Sequence, residues 1–205
     1  MKKREMGKLT NEELAREIAN GLIDGGFEGG FDSISCSTAG DYPSLGCSQW
    51  EGGRADDLLS RIDGGEHYME RTYSDIAANG ELDALAELLD SEEGQAAQRE
   101  KLAEDTIDYV DALTDIEGFD DSRAIIYAGI WCPTSTYVVT HFISRMRDRG
   151  EEVNDLYTLA CLFAEEYAAA AACEEYADGY ESRAKRTYDL VREMDLSEYG
   201  VEVYD

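Results

Sequence analysis

Residues 27–50 read FEGGFDSISCSTAGDYPSLGCSQW, and they interrupt a chain in which helical patterns otherwise predominate. The stretch holds four glycines and many hydroxyl side chains, and its apolar residues do not recur with a helical period. Short extended pieces joined by a turn at residues 39–43 suit this composition. We therefore expect a mainly α protein, of the α+β kind, in which a helical bundle carries a small β-hairpin region near residues 29–50.

The segment before this stretch predicts a helix with defined ends. Thr10 and Glu13 match a capping box, in which each side chain accepts a hydrogen bond from the backbone N–H of the other residue. Apolar residues follow at helical spacing, at Leu14, Ile18 and Leu22. Gly25 and Gly26 then predict a left-handed C-terminal cap. Glu28 is therefore expected just beyond the last turn of this helix.

Helical periodicity resumes after Trp50 and continues almost to the end of the chain. Helices are predicted at residues 54–62, 82–89, 102–113, 120–130, 134–149 and, as one helix or two, 156–194. The sequence contains only two prolines, which suits long helices. No internal repeat and no linker divides the sequence, so we expect a single domain spanning residues 1–205.

The formal net charge of −28 bears on the possible partners. Binding to nucleic acid needs cations that neutralise phosphates, and binding to anionic membranes needs them too, so we expect neither partner. No apolar run of about 18 residues occurs, so we expect no membrane span. The N-terminal residues lack the apolar core of a secretory signal, so we expect synthesis in the cytoplasm without a signal peptide.

The five cysteines do not form a pattern typical of metal binding. No CxxC pair occurs and the chain has only two histidines, so no zinc site is predicted, and no other metal or cofactor is expected. Cys36 and Cys47 flank the turn, and a disulfide between them is an alternative to two free thiols. We expect buried free thiols at Cys132, Cys161 and Cys173.

Glu28 is the candidate catalytic residue. A carboxylate at the end of a helix that runs toward the core is partly shielded from water, which disfavours its charged form and raises its pKa. A raised pKa allows a carboxyl group to hold a proton near neutral pH and to act as a general acid. Glycosidic bond cleavage commonly uses a second carboxylate, for which Asp41 and Asp32 are candidates. The alternative is that Glu28 is an exposed acid at a helix end.

Four further side chains in or next to this stretch suit substrate binding. An aromatic face beside an amide is a common way to hold a sugar ring, and hydroxyl or guanidinium groups add hydrogen bonds. The candidates are Ser44, Gln49, Trp50 and Arg54. Trp50 is equally suited to a place in the core.

The order of these residues resembles a known family. Glu28-Gly-Gly-Phe31-Asp-Ser33-Ile34 precedes Asp41 and then Ser44-Leu-Gly46-Cys-Ser-Gln49-Trp50-Glu-Gly52-Gly-Arg54-Ala55. Segments at residues 88–110 and 180–188 look like the family's central and closing helices. The chain is thus similar, over most of its length, to phage-type lysozyme-like peptidoglycan hydrolases, which are related in fold to chitosanases and lytic transglycosylases. The family usually has aspartate where this chain has Ala39, so Asp41 and Asp32 both stay open as the second carboxylate.

This resemblance implies a lysozyme-like fold and an endolysin-type activity against bacterial cell walls. The substrate would be peptidoglycan or a related amino-sugar polymer, cut at β-1,4 bonds by hydrolysis or by lytic transglycosylation. Glu28 would protonate the glycosidic oxygen, and Asp41 or Asp32 would activate water or stabilise the cationic transition state. A lytic transglycosylase needs no second carboxylate, because a hydroxyl of the sugar attacks. The protein would reach the cell wall after release, or as part of a bacteriophage virion.

Two other interpretations stay open. A lysozyme-like binding protein, such as a phage structural or anti-host factor, would keep the fold without the chemistry. The net charge of −28 favours this interpretation, because peptidoglycan is often anionic and repels such a protein at low salt. A generic helical scaffold protein with an adapted loop would leave Glu28 fully exposed and outside any cleft.

Overall fold

A computed structural model describes residues 8–201. Within these residues lie nine α-helices and three short strands. The helices are α1 (Asn11–Asp24), α2 (Gly53–Leu59), α3 (Tyr73–Ala78), α4 (Leu82–Asp90), α5 (Glu92–Thr114), α6 (Ser122–Trp131), α7 (Thr136–Asp148), α8 (Leu156–Ala170) and α9 (Glu174–Glu193). The strands are β1 (Ile34–Cys36), β2 (Pro43–Leu45) and β3 (Trp50–Glu51). The prediction of a mainly α protein with a small β region is confirmed.

The described residues fall into two compact units. We name residues 22–104 the sheet unit, and residues 8–21 together with 105–201 the helical unit. The unit boundaries fall inside α1 and inside α5. No helix in residues 8–201 combines the length and apolar composition that a membrane crossing requires. Residues 1–7, on which the expectation about a signal peptide depends, lie outside the described range.

The helical unit is built around α6, whose residues are all buried. Helices α7, α8 and α9 pack against α6. Ile18 of α1 packs against Gly129, where a Cβ would collide with the Ile18 side chain. Aromatic rings fill the space beside α6: Phe163 contacts both Tyr127 and Trp131, with ring centroids 5.3 and 5.4 Å apart.

Two arginines of the helical unit satisfy backbone carbonyls near helix C-termini. Arg123 is 3 % exposed and donates to the carbonyl oxygens of Val191 at 2.6 Å and Met194 at 3.2 Å. Arg183 donates to the carbonyl of Ile130 at 2.9 Å. The last carbonyls of a helix have no hydrogen-bond partner within the helix. These guanidinium groups supply that partner, and their positive charge is attracted to the negative end of the helix dipole.

The sheet unit contains the antiparallel sheet, in the order β1-β2-β3. Ile34 pairs with Leu45, and Ser44 pairs with Glu51, so β2 is the central strand. All three residues of β2 are buried, and α2 packs against β2 and β3. The ammonium of Lys101 on α5 lies 2.6 Å from the carboxylate of Asp57 on α2, which ties these two helices together.

Candidate functional site

The end of α1 fixes the backbone of Glu28. Gly26 has a φ of 65°, a left-handed value that glycine adopts at low cost. Gly26 N–H donates to the carbonyl of Ile23 at 3.0 Å and Phe27 N–H donates to that of Leu22 at 2.9 Å, which is the Schellman pattern. Glu28 N–H also donates to Leu22, at 3.2 Å. Glu28 is therefore attached to the last turn of the helix, as predicted from the glycines.

The loop after Glu28 is bound to the turn that follows β2. Gly29 N–H donates to the carbonyl of Cys47 at 2.8 Å, and Gly46 N–H donates to the carbonyl of Ser33 at 2.8 Å. These two hydrogen bonds lie on either side of residues 30–32 and hold two irregular segments side by side. Neither segment is regular secondary structure, so the geometry around Glu28 depends on these bonds rather than on a ladder of strand pairs.

An open cleft of about 500 Å³ lies between these segments. Its lining residues are Phe27, Glu28, Gly29, Ser33, Ile34, Ser35, Cys47, Ser48 and Gln49. Glu28 is half-buried there, and it supplies the one carboxylate among the described residues that line the cleft. A generic scaffold protein would leave Glu28 fully exposed outside any cleft, so this placement argues against that interpretation.

A buried thiol lies close to Glu28. Cys47 is 1 % exposed, and burial followed by the negative charge of Glu28 raises the pKa of its thiol from 9.0 to about 12. The thiol is therefore neutral at physiological pH. Because it is almost fully buried, Cys47 presents almost no surface to a ligand in the cleft.

Gln49 lies in the tight turn that closes one side of the cleft. Its φ is 52°, which is uncommon for a residue with a side chain. The Gln49 amide oxygen accepts from the Ser35 hydroxyl at 2.7 Å, and its amide nitrogen donates to the carbonyl of Gly46 at 2.9 Å. Gln49 is exposed and lines the cleft, so it fits the predicted substrate-binding position. Backbone strain of this kind is commonly found at binding and active sites.

Ser44 and Trp50 belong to the interior of the sheet unit. Ser44 is 3 % exposed and its hydroxyl donates to the carbonyl of Gln49 at 3.2 Å. This hydrogen bond stabilises the turn that contains Gln49. Trp50 is 1 % exposed, and the structure places it in the core rather than on a sugar-facing surface. The physical reason is the alternation of a strand: Trp50 pairs with Leu45 and shares its buried face. Ser44 and Trp50 therefore support the cleft and do not line it.

Arg54 is exposed in the first turn of α2 and is not among the lining residues of the cleft. The structure thus brings only Gln49, of the four predicted substrate-binding residues, to the cleft of Glu28.

The two candidate second carboxylates lie elsewhere. Asp41 is exposed, and its carboxylate accepts a hydrogen bond from the backbone N–H of Ser74 at 3.0 Å, in the first turn of α3. Asp41 lines a separate pocket of about 250 Å³ with Tyr42 and Arg71. Asp32 is exposed, and its carboxylate lies close to the backbone of Gly30. Neither aspartate lines the cleft that contains Glu28.

The cysteines are free thiols in the described part of the chain. Cys36 is exposed on β1 and Cys47 is buried, so the alternative of a disulfide between them is not adopted. Burial is confirmed for Cys132, but the prediction is wrong for Cys161, which lies on an exposed position of α8, and for Cys173, which is exposed at the N-cap of α9. Within residues 8–201 no group of three or more His, Cys, Asp or Glu side chains is arranged to hold a metal ion.

Sequence reasoning missed the role of Gln98, which is fully buried on α5. Its amide oxygen accepts from Cys47 N–H at 2.9 Å, and its amide nitrogen donates to the carbonyl oxygens of Phe31 at 3.2 Å and Leu89 at 2.9 Å. A signal exists in the spacing: Gln98 stands four residues from both Gly94 and Leu102, on the buried face of the helix. A polar residue on such a face needs buried partners.

The resemblance to lysozyme-like hydrolases rests on the order of residues in the sequence alone. The geometry of the cleft concerns the site and does not by itself identify a family. Comparisons of this chain with protein-family models, with curated proteins and with solved structures each gave no match.

Proposed function

We propose that this protein cleaves β-1,4 glycosidic bonds of peptidoglycan or a related amino-sugar polymer, with Glu28 as the general acid. The observation that carries the proposal is the placement of Glu28: half-buried, anchored to the end of α1, and lining an open cleft. A cleft of about 500 Å³ is within the usual size range of ligand sites, and it suits part of a polymer better than a deep pocket does.

The cleft favours the lytic transglycosylase version of this reaction. Glu28 is the one carboxylate among its described lining residues, and a single-acid mechanism needs no other. In its protonated form Glu28 gives a proton to the glycosidic oxygen, and the bond from that oxygen to the anomeric carbon breaks. The Glu28 carboxylate then takes the proton from a hydroxyl of the same sugar as this hydroxyl adds to the anomeric carbon. The products are a shortened chain and an anhydro-sugar end, and no water is consumed.

Gln49 and Ser35 are the side chains best placed to orient the sugar. Both line the cleft, and they hydrogen-bond to each other at 2.7 Å, so their positions are mutually fixed. Hydroxyl and amide groups of this kind fit sugar hydroxyls. Phe27, which also lines the cleft, supplies apolar surface beside them.

The test is the variant Glu28→Gln, which keeps the shape of the side chain and removes the acidic proton of the carboxyl group. Clearing of purified cell walls should fall by about 100-fold or more, because a general acid contributes about that much. Glu87→Gln is the matched control: it removes the same charge from an exposed position on α4 of the same unit and should retain activity. Circular dichroism shows whether both variants fold. Full activity of folded Glu28→Gln would refute the assignment.

The choice between hydrolysis and transglycosylation is tested by cleavage in isotopically labelled water. Hydrolysis incorporates an oxygen atom of water into each new reducing end, whereas transglycosylation incorporates none. Incorporation would move the assignment to a hydrolase and would require a water-activating residue, for which Asp32→Asn and Asp41→Asn are the variants to compare.

A binding protein without catalysis is the second candidate. Two observations favour it: the net charge of −28, and the engagement of Asp41 with Ser74 outside the cleft. Zymography on cell walls at low and high salt separates the candidates, since screening removes the repulsion between the protein and an anionic wall. Tight wall binding with no clearing at any salt concentration would favour the binding protein.

A further inference from the structure

Gln98 is a buried amide whose hydrogen-bonding groups are fully engaged. Its oxygen faces a backbone N–H, that of Cys47, and its nitrogen faces two carbonyl oxygens, those of Phe31 and Leu89. This pattern fits only one orientation of the amide, because the reverse orientation would oppose donor to donor and acceptor to acceptor. A fully satisfied buried amide of this kind fixes the segments it joins more strongly than an apolar side chain does.

The segments that Gln98 joins are the two walls of the cleft. Cys47 N–H bonds to Gln98, while the Cys47 carbonyl accepts from Gly29, the residue directly after Glu28. Phe31 lies in the same loop as Gly29, and its carbonyl bonds to the other end of the Gln98 amide. The loop after Glu28 is therefore held to α5 by the bond from Gln98 to Phe31, and to the opposite wall by the direct bond between Gly29 and Cys47. Gln98 also holds that opposite wall, through Cys47 N–H.

Gly46 shows how closely Gln98 approaches the wall. Gly46 has a φ of 70°, and a Cβ at this position would collide with the Gln98 amide. The turn after β2 is thus shaped around the amide. Glycine is required there both for the backbone conformation and for space.

We propose that Gln98 is a positioning residue for Glu28: its buried amide sets the separation of the two cleft walls and thereby the place of the acid relative to the bound sugar. The role in the reaction rests on the proposed function. Gln98 does not line the cleft, so it acts through the backbone of Phe31 and Cys47 rather than by touching the substrate.

The first measurement uses the unaltered protein and needs no activity. In native-state hydrogen exchange, the backbone amides of Cys47 and Gly29 should exchange as slowly as the buried residues of α5. The Gln98 side chain holds Cys47 to that helix, and Cys47 in turn holds Gly29. Exchange of these two amides at the rate of an exposed loop would overturn the proposal, whatever reaction the protein performs.

The second measurement compares Gln98→Met with Gln95→Met. Gln95 lies on the same helix and bonds to the Asp90 carbonyl at 2.9 Å, away from the cleft lining, so it is a matched control for the loss of an amide. Maleimide should modify Cys47 in Gln98→Met at least about tenfold faster than in the unaltered protein or in Gln95→Met, because the lost hydrogen bonds make local opening easier. Peptide mapping by mass spectrometry assigns the modified cysteine. Equal rates would overturn the proposal.

The third measurement is kinetic, with soluble peptidoglycan oligomers. Gln98→Met should lower kcat by about 10–100-fold and leave KM within about twofold, because a displaced acid impairs the chemical step more than binding. Gln98→Glu keeps the acceptor for Cys47 N–H, has no donor when its carboxyl group is ionised, and has one donor when that group is protonated. Its activity relative to the unaltered protein should therefore rise as the pH falls, whereas that of Gln98→Met should stay flat.

The outcomes separate the two proposals. An inactive unaltered protein would remove the proposed function, while exchange and thiol modification would still decide whether Gln98 holds the walls. An active protein in which Gln98→Met matches Gln95→Met in kcat would refute the positioning role and leave the function intact. If Gln98→Met does not fold, Gln98→Glu and the exchange measurement decide the question.

Discussion

At the scale of single residues, the interaction between Glu28 and Cys47 is open to a direct test. Burial raises the pKa of the Cys47 thiol, and the Glu28 carboxylate raises it further, because a second negative charge nearby is unfavourable. The folded-state pKa of about 12 lies above the value of 9.0 for a thiol in water, so the folded protein holds this proton more tightly. The contribution to stability is therefore complete below pH 9.0 and is lost as the pH rises toward about 12.

We predict that Glu28→Gln lowers the pKa of the Cys47 thiol but leaves it above 9.0, since burial is the larger cause and stays in place. Titration of isotope-labelled cysteine by NMR measures this change. Cys132 is the internal control: burial alone raises the pKa of its thiol to about 12, so Glu28→Gln should not shift it. An unchanged Cys47 titration would mean that the Glu28 carboxylate is not close to the thiol.

At the scale of elements, the ends of α1 follow closely from the sequence. Glu13 N–H donates to the Thr10 hydroxyl at 3.3 Å and Thr10 N–H donates to the Glu13 carboxylate at 2.8 Å, which confirms the predicted capping box. Gly26 ends the helix with a left-handed φ, as the glycine pair indicated. The segment at residues 156–194 is two helices, α8 and α9, rather than one, because Ala171 is extended and ends α8.

Gly26→Ala should lower the free energy of unfolding by about 1–2 kcal/mol, because a side chain is unfavourable in the left-handed region. Denaturant unfolding measures this loss. Gly25→Ala is the matched control on the neighbouring position, which does not have a positive φ, and its effect should stay within about 0.5 kcal/mol. The C-terminal cap also carries the Glu28 backbone, so Gly26→Ala should reduce cell-wall clearing more than Gly25→Ala does. Equal stabilities of the two variants would contradict the role assigned to the cap.

At the scale of the whole molecule, the net charge governs how stability responds to salt. With a net charge of −28, the negative side chains of the folded protein repel one another, although individual ion pairs such as Lys101 with Asp57 are attractive. Salt weakens both effects, but the self-repulsion extends over the entire surface whereas close ion pairs are screened less. Salt should therefore stabilise this protein on balance.

Raising NaCl from about 0.1 M to about 1 M should increase the midpoint of thermal unfolding by about 5 °C or more. KCl at the same concentrations should give the same increase, because screening depends on ionic strength and not on which cation is present. Calorimetry measures both series. A stability that falls with added salt, or that responds to only one of the two cations, would contradict screening as the cause.

The sequence by itself determined most of the helices, the caps of α1 and the position of the irregular stretch, but it missed α3 and the first ten residues of α5. These features depend on interactions between residues a few positions apart, such as Thr10 with Glu13, and local patterns report them directly. Fold class follows from the same patterns, because nearly every segment outside the stretch has helical periodicity.

The tertiary structure alone decided which residues face the cleft. Gln98 meets Cys47 across a separation of 51 positions, and Asp41 meets Ser74 across 33. Sequence spacing carries no information about such pairs, since they depend on how α5 and α3 pack against the loops. The same holds for Trp50: its chemistry fits a sugar site and a core equally well, and only the pairing of β3 with β2 turned it inward, where burial of its large apolar surface stabilises the fold.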